Sequence, residues 1–421
     1  MRVFVTGATG FIGSAVVKDL IAAGHQVLGL CRSDDKAAGL AAAGAEVARG
    51  SLEDLDSLKK GAARSDGVIH LAFNHDFSKF VANCEDDRRV IKALGSALEG
   101  SDRPLILTSA TPIANTVPGQ PAKEDNAIVG SDKHPRAASE EAAAAVAADG
   151  VNVSVVRLPQ VHDPVAQGLI TPAIGMYRQK GVCTYVGEGR NRWPAAYILD
   201  VARLYRLAIE KAEPDAKYHA VAEEGVPMRD IAEAIGRRLK LPVKSIAPDE
   251  AQAYFGWLSM FAGRDMPASS AQTRRKLGWE PKGPGLIADL ERLHVGSLRH
   301  ARQFRVAYGS AALFTVLAVG DRLVLRSRLH AQPRRFSEPG GVTILVSIDA
   351  SLPTQRSNPE SAAKSELLSQ CRRSRYQRSI RNEISFRRDA AGATQLRFAA
   401  APSTIRTTSD MMRFSSKSLG V

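Results

Sequence analysis

"VTGATGFIG", Val5 to Gly13, decides how the rest of the chain is read. It joins an apolar run, "RVFVT", to a stretch with helical spacing, "IGSAVVKDLIAAG", and places glycines at 7, 10 and 13 between them. Each glycine has a physical reason to stand there. Gly7 permits the tight turn, Gly10 lets the backbone approach a pyrophosphate, and Gly13 lets the helix pack close to the strand. The helix start offers N–H groups without intrahelical acceptors and a partial positive charge, which suit a phosphate. A glycine triplet alone is a weak signal. Between a strand and a helix at the first crossover it predicts a dinucleotide site, with Thr9, Phe11 and Ile12 in the same turn.

The same rhythm continues outward from this turn. "HQVLGLC", "DGVIHLAF", "RPLILTSA" and "VNVSVVRLP" read as further strands, with helical stretches between them. Val/Ile/Leu-rich strands alternating with helices predict an α/β fold, a Rossmann-type doubly wound parallel sheet, over residues 1–160. Residues 161–296 are expected to form a smaller C-terminal substrate domain, where helices such as "DVARLYRLAIEKA" and "PMRDIAEAIGRRL" alternate with short strands. Asp200 reads as the N-cap of the first of these helices.

Residues 297–421 have a different character. They hold 21 Lys and Arg against 8 Asp and Glu, which leaves 36 residues of each sign before Ser297. The net charge of +13 therefore sits wholly in this tail, and the body is neutral. An arm for nucleic acid is one reading. The other is an appended segment with no selected fold, disordered or an artefact of the reading frame. The second is preferred, because 19 of the 21 basic residues are arginine and no recognisable module is present. Nucleic acid is accordingly not expected as a partner.

The four cysteines, Cys31, Cys84, Cys183 and Cys371, form no CxxC pair, which argues against a zinc site or a disulfide framework. No metal is expected. The first residues read as a strand rather than a secretory signal, and the longest apolar run, "AALFTVLAVG", is about half a membrane span. These features point to the cytoplasm, with no membrane partner.

The GxxGxxG spacing preceded by Thr6 resembles the extended short-chain dehydrogenase/reductases, the NAD-dependent epimerase/dehydratase family. Other stretches over about residues 1–295 are similar to that family in order: "GSLEDLDSL", "VIHLAF", "LILTSAT", "VVRLPQVHDP" and "GEGRNRWPAAYILD". The resemblance implies that Ser51 and Leu52 flank an adenine, that Leu71, Ala72 and Phe73 lie along the cofactor, and that Pro159 sits beside the nicotinamide. It implies a small-molecule substrate and a homodimer. Strand 2 ends "LGLCRSDD", with Arg32 where an acid would favour NAD, so NADP is expected, with NAD the alternative.

One pattern is missing. The family's Pro-Tyr-x-x-Ser-Lys stands here as Pro135-Arg136-Ala137-Ala138-Ser139-Glu140, and none of the eight tyrosines has a lysine four residues later. Tyrosine serves as a proton shuttle when a lysine lowers its pKa from about 10. Arginine, with a pKa above about 12, cannot do this, though its donor fork can polarise a carbonyl or hold an anion. Arg136 and Glu140 remain candidate catalytic residues, and an i,i+4 ion pair between them is expected. Ser109, then Thr111, are the candidates for the hydroxyl that bonds the substrate oxygen; a plain β-turn explains them equally. His134 is a further titratable candidate. The expected function is an NADP-dependent oxidoreductase or epimerase/dehydratase-type protein with an atypical site. The rival is a catalytically silent NADP(H)-binding sensor.

Overall fold

A computed structural model describes residues 1–114 and 117–294, Ser78 by its backbone only, together with the backbones of six later strands. Residues 1–294 form one compact unit. Its centre is a sheet of β1 (Arg2–Thr6), β2 (Gln26–Cys31), β3 (Glu46–Arg49), β4 (Gly67–His70), β5 (Leu105–Ala110) and β6 (Val153–Leu158). The connections are α1 (Phe11–Ala22), α2 (Asp34–Ala42), α3 (Leu55–Ala63), α4 (Phe80–Ser96) and α5 (Ala138–Ala148). Spatial order is β3-β2-β1-β4-β5-β6, every pair parallel. The doubly wound sheet expected from the strand–helix rhythm is the observed one.

Strand residues alternate between two cores, as the pleat requires. Val3 and Val5 join α1 in one apolar cluster, while Phe4 joins the other with Leu58, Ile91 and Val146 from α3, α4 and α5. On β5 the same parity puts Ile106 on the α1 side and Leu105 and Leu107 on the α5 side. Thr108 therefore faces with Ile106, and its hydroxyl meets the Tyr205 hydroxyl at 2.7 Å. Ser109 faces the α5 side. The chain reverses its winding between β1 and β4, and the crevice at such a switch point is where ligands bind in open α/β sheets.

Beyond residue 160 the chain adds β7 (Gln160–His162), α6 (Ile170–Lys180), β8 (Cys183–Val186), β9 (Arg192–Tyr197), α7 (Ile198–Lys211), β10 (Lys217–His219), β11 (Glu223–Pro227), α8 (Met228–Leu239) and β12 (Val243–Ile246). β11, β9 and β7 form a small sheet, and β12 pairs with β8. α7 and β10 return to the main sheet. β10 extends it beside β6, and Val201, Leu204, Tyr205 and Ile209 of α7 complete the α1-side core. Asp200 is not the N-cap of α7; Tyr197 holds that place. The Asp200 carboxylate instead accepts the backbone N–H groups of Lys282 and Gly283, which ties the 280s segment to α7.

In the second unit, residues 295–421, strands at Arg302–Tyr308, Ala312–Val319, Arg322–Leu329, Leu345–Ile348, Ile384–Arg388 and Thr394–Phe398 pair antiparallel. The expectation of a disordered or artefactual tail otherwise falls on residues outside those described.

Candidate active site

The glycine turn has the geometry its sequence calls for. Gly7 adopts φ +68°, and a Cβ there would lie 2.8 Å from the Ala72 nitrogen. A Cβ on Gly13 would lie 2.0 Å from the Gly7 carbonyl oxygen, so α1 sits against β1 at a distance no side chain allows. Gly10 is the N-cap of α1 and offers no side-chain cap, which leaves the first-turn N–H groups for a ligand. The other expected cofactor residues follow β2, β3, β4 and β6 along the same edge: Arg32, Ser51 and Leu52, Leu71 to Phe73, and Pro159. This cradle fits a dinucleotide.

Arg32 is exposed, and its guanidinium has no partner among the described residues. With a Ser51 hydrogen bond as the larger cause, its charge helps hold the Glu53 carboxyl below the usual range. Asp34, which could compete for a ribose, is paired with Arg49.

Arg136 is buried and does not pair with Glu140, contrary to expectation. The i,i+4 geometry is broken because Pro135–Ala137 form a separate 3-10 turn and α5 begins only at Ala138. Arg136 Nη1 donates to Asp87 Oδ2 at 2.7 Å and to the Ser139 hydroxyl, and Nη2 donates to the Thr108 carbonyl at 2.7 Å. The Ser139 hydroxyl also donates to Asp87 Oδ2, at 2.5 Å. Beyond Asp87 the network runs to His70 Nε2 at 2.9 Å, and from His70 Nδ1 to Thr6 Oγ1 at 2.6 Å. Thr6 Oγ1 already accepts the N–H groups of Leu71 and Ala72, so its proton goes to Nδ1, and the His70 proton sits on Nε2, facing Asp87. Burial opposes charge on Asp87, but Arg136 and then His70 hold its carboxyl far below the ordinary range.

This network fixes Arg136. Three of the five guanidinium N–H groups are spent, its Cζ lies 4.2 Å from the Phe73 ring centroid, and two donors remain. Glu140 is occupied separately. Both its oxygens accept from Arg157, each at 2.8 Å, and Arg157 also reaches the Glu124 carbonyl and His219 Nε2. Neither residue has the freedom of a proton shuttle.

Ser109 is 3% exposed, and its hydroxyl has no hydrogen-bond partner among the described residues. An unpaired buried hydroxyl costs about 1–3 kcal/mol, so its place at the strand end, one residue from the Thr108 carbonyl that holds Arg136, calls for a ligand. Thr111 is also buried, with a long 3.4 Å contact to the Leu158 carbonyl. His134 is buried with Nδ1 unpartnered; burial, then the positive charges of Arg264 and Arg136, push it down to about 4. Elsewhere along the stretches that resemble the family, Trp193 is core, Arg192 is engaged by Asp265, and His162 bonds Asp289 at 2.8 Å. Sequence reading missed Asp87, His70 and Arg157 because their roles exist only through partners 17 to 62 residues away.

The sequence profile of the NAD dependent epimerase/dehydratase family matches residues 3–222. The chain belongs to this family. An uncharacterized protein of Schizosaccharomyces pombe is 47% identical over 291 residues, which cover 69% of this chain and 98% of that protein. An uncharacterized protein of Saccharomyces cerevisiae is 44% identical over 293 residues, with the same shares covered. A 2-alkyl-3-oxoalkanoate reductase of Stenotrophomonas maltophilia is 30% identical over 55% of this chain and 73% of its own length. Among solved structures, a dTDP-glucose 4,6-dehydratase of Streptomyces venezuelae with NAD bound superposes with a TM-score of 0.58 at 18% identity, covering 70% of this chain and 95% of the other. That likeness speaks for the fold. In this chain Arg136 and Glu140 are each locked in a buried ion pair, with Asp87 and Arg157 respectively.

Proposed function

We propose that this protein is an NAD(P)-dependent oxidoreductase, with NADP(H) preferred, acting on a small hydroxyl- or carbonyl-bearing molecule through an atypical site. The observation that carries the reading is the buried, unpartnered Ser109 hydroxyl, set at the end of β5 near a fixed Arg136 and on the edge that bears the glycine turn. A nicotinamide cofactor, when bound, supplies or accepts a hydride. The chain's own groups do the rest. The α1 N-terminus binds pyrophosphate, Arg32 meets a 2′-phosphate, and Ser109 donates to the substrate oxygen. The two spare N–H groups of Arg136 stabilise negative charge developing there. Arginine is no proton donor near neutrality, so solvent completes the proton balance. A relative that bears the name of an oxoalkanoate reductase is in keeping with carbonyl chemistry.

The locked ion pairs favour a second reading, a cofactor-binding sensor without turnover. A titration of the full chain with NADPH and NADH, read by nicotinamide emission, tests both. NADPH binding weakened about tenfold or more in Arg32→Ala, with NADH unaffected, supports the cofactor assignment. Binding followed by oxidation with any carbonyl substrate selects the enzyme; binding without turnover across a carbonyl panel selects the sensor. No binding of either cofactor removes both. Cytoplasmic location and a homodimer belong to the same proposal, the latter checked by sedimentation. No helix among the described residues is long and apolar enough to cross a membrane.

A further inference from the structure

We propose that the substrate is a small monocarboxylate with an apolar ring or chain, its apolar part held by the Phe73–Phe77–Phe80–Trp257 ring cluster and its carboxylate by Arg264. The location rests on the oxidoreductase reading; the chemistry rests on the groups themselves.

The rings come from two segments far apart in sequence. Phe73, Phe77 and Phe80 follow β4, and Trp257 belongs to the short helical stretch after residue 255. Phe77 stacks on Trp257 with centroids 4.4 Å apart and planes 7° from parallel. Phe80 meets Phe77 at 5.5 Å, Phe73 at 6.4 Å and the edge of His134 at 6.4 Å. Phe73 in turn covers Arg136, so the cluster begins at the candidate chemistry and leads away from it.

All four rings are only partly buried, although each would gain from full burial. The other two tryptophans, Trp193 and Trp279, are 1% and 0% exposed. Val81, next to Phe80, and Met260, one helical turn after Trp257, are 64% and 54% exposed. A part-open apolar surface at the carboxyl edge of the sheet, beside polar groups that lack partners, is the composition of a small-molecule site rather than of a core.

The polar groups then specify the charge. Arg264 is exposed, and its guanidinium has no partner among the described residues. The carboxylate next to it in the chain, Asp265, is taken by Arg192. Arg264 follows Trp257 by seven residues, its backbone N–H bonded back to the Phe261 carbonyl at 2.9 Å, and its charge helps lower the pKa of His134, whose ring edge meets Phe80. The buried Nδ1 of His134 is a second unpartnered group, ready to bond a ligand atom. One free guanidinium beside a neutral imidazole suits a monoanion. A dianionic phosphate would call for more positive charge.

Trp257 makes the test direct, because the two buried tryptophans form a constant background. Trp fluorescence of the full chain is titrated with 3-phenylpropanoate, its neutral amide and propanoate, and Trp257→Phe fixes the share of the signal that belongs to Trp257. The expected result is saturable quenching by 3-phenylpropanoate, with the amide and propanoate each weaker by about fivefold or more. Arg264→Gln should bring the acid down to the level of the amide and leave the amide unchanged. Phe77→Ala should weaken acid and amide together.

Equal binding of acid and amide overturns the charge assignment. Equal binding of propanoate and 3-phenylpropanoate overturns the ring assignment, and absence of quenching by all three overturns both. Arg264 is at the surface, so its variant decides the question even if Phe77→Ala fails to fold. Cofactor binding, read separately by nicotinamide emission, keeps the two proposals apart. Cofactor bound without acid sinks this inference alone, and acid bound without cofactor sinks the oxidoreductase reading alone.

Discussion

Replacing Asp87 with asparagine tests the buried network with almost no change in shape. Three donors converge on the carboxylate: His70 Nε2–H on one oxygen, and Arg136 Nη1–H with the Ser139 hydroxyl on the other. Asparagine offers one acceptor and one NH2 group, so at least one of those donors faces another donor. His70 cannot relieve the conflict by moving its proton to Nδ1, because Thr6 Oγ1 already accepts two N–H groups and must donate there. The Arg136 charge is also left buried without its counter-ion. Breaking a buried pair by removing one partner costs about 3–5 kcal/mol. Because one asparagine oxygen still serves a donor, the lower end applies, about 3 kcal/mol. For a unit of this size that corresponds to a fall of roughly 6 °C in Tm. Thermal melts of the full chain followed by circular dichroism measure it. The double variant Asp87→Asn/Arg136→Met should recover part of the loss, since the stranded charge has gone. A loss below about 1 kcal/mol in Asp87→Asn, or a double variant no more stable than the single, would refute the reasoning. The pH dependence gives an independent sign. The folded-state pKa of Asp87 is depressed, so its contribution is present above the unfolded value near 4 and is lost as pH falls below it. Asp87→Asn should therefore show a shallower acid limb than wild type.

Further outcomes follow from the same contacts. Introducing the expected tyrosine and lysine with Arg136→Tyr and Glu140→Lys should not create a proton shuttle, because a lysine at 140 meets buried Arg157. Glu140→Lys alone should cost about 3 kcal/mol or more in urea unfolding, and a neutral result would show that the Arg157 pair is unimportant. Gly13→Ala places a methyl group 2.0 Å from the Gly7 oxygen, so NADPH binding measured by nicotinamide emission should be lost together with several degrees of Tm. Retained binding would mean that the helix is free to retreat. His134 and His219 are both held near 4, chiefly by burial, and so bind fewer protons folded than unfolded. Stability they support above about pH 6.5 should drain away toward pH 4, by up to about 3 kcal/mol each, and His219→Gln should flatten that slope.

The sequence alone was sufficient for the sheet, its winding and the glycine turn. Those features are local and periodic: a two-residue alternation, a helical repeat, and glycines whose spacing is dictated by the contacts of one turn. The absence of a tyrosine and lysine at 136 and 140 was equally plain from the sequence. The partners of Arg136 and Glu140 were not. Spacing along the chain pointed to an Arg136–Glu140 pair, and the fold divided it, sending Arg136 to Asp87 on α4 and Glu140 to Arg157 on β6. A buried charge is satisfied by whichever opposite charge the packing brings within reach, and that partner is 49 residues from Arg136 and 17 from Glu140. The ring cluster shows the same rule, since Phe77 and Trp257 are stacked although 180 positions separate them in a chain that no local pattern connects. Turns and periodicities are short-range physics and can be read in order. Charge pairing and ring stacking depend on through-space distance, and only the folded chain decides them.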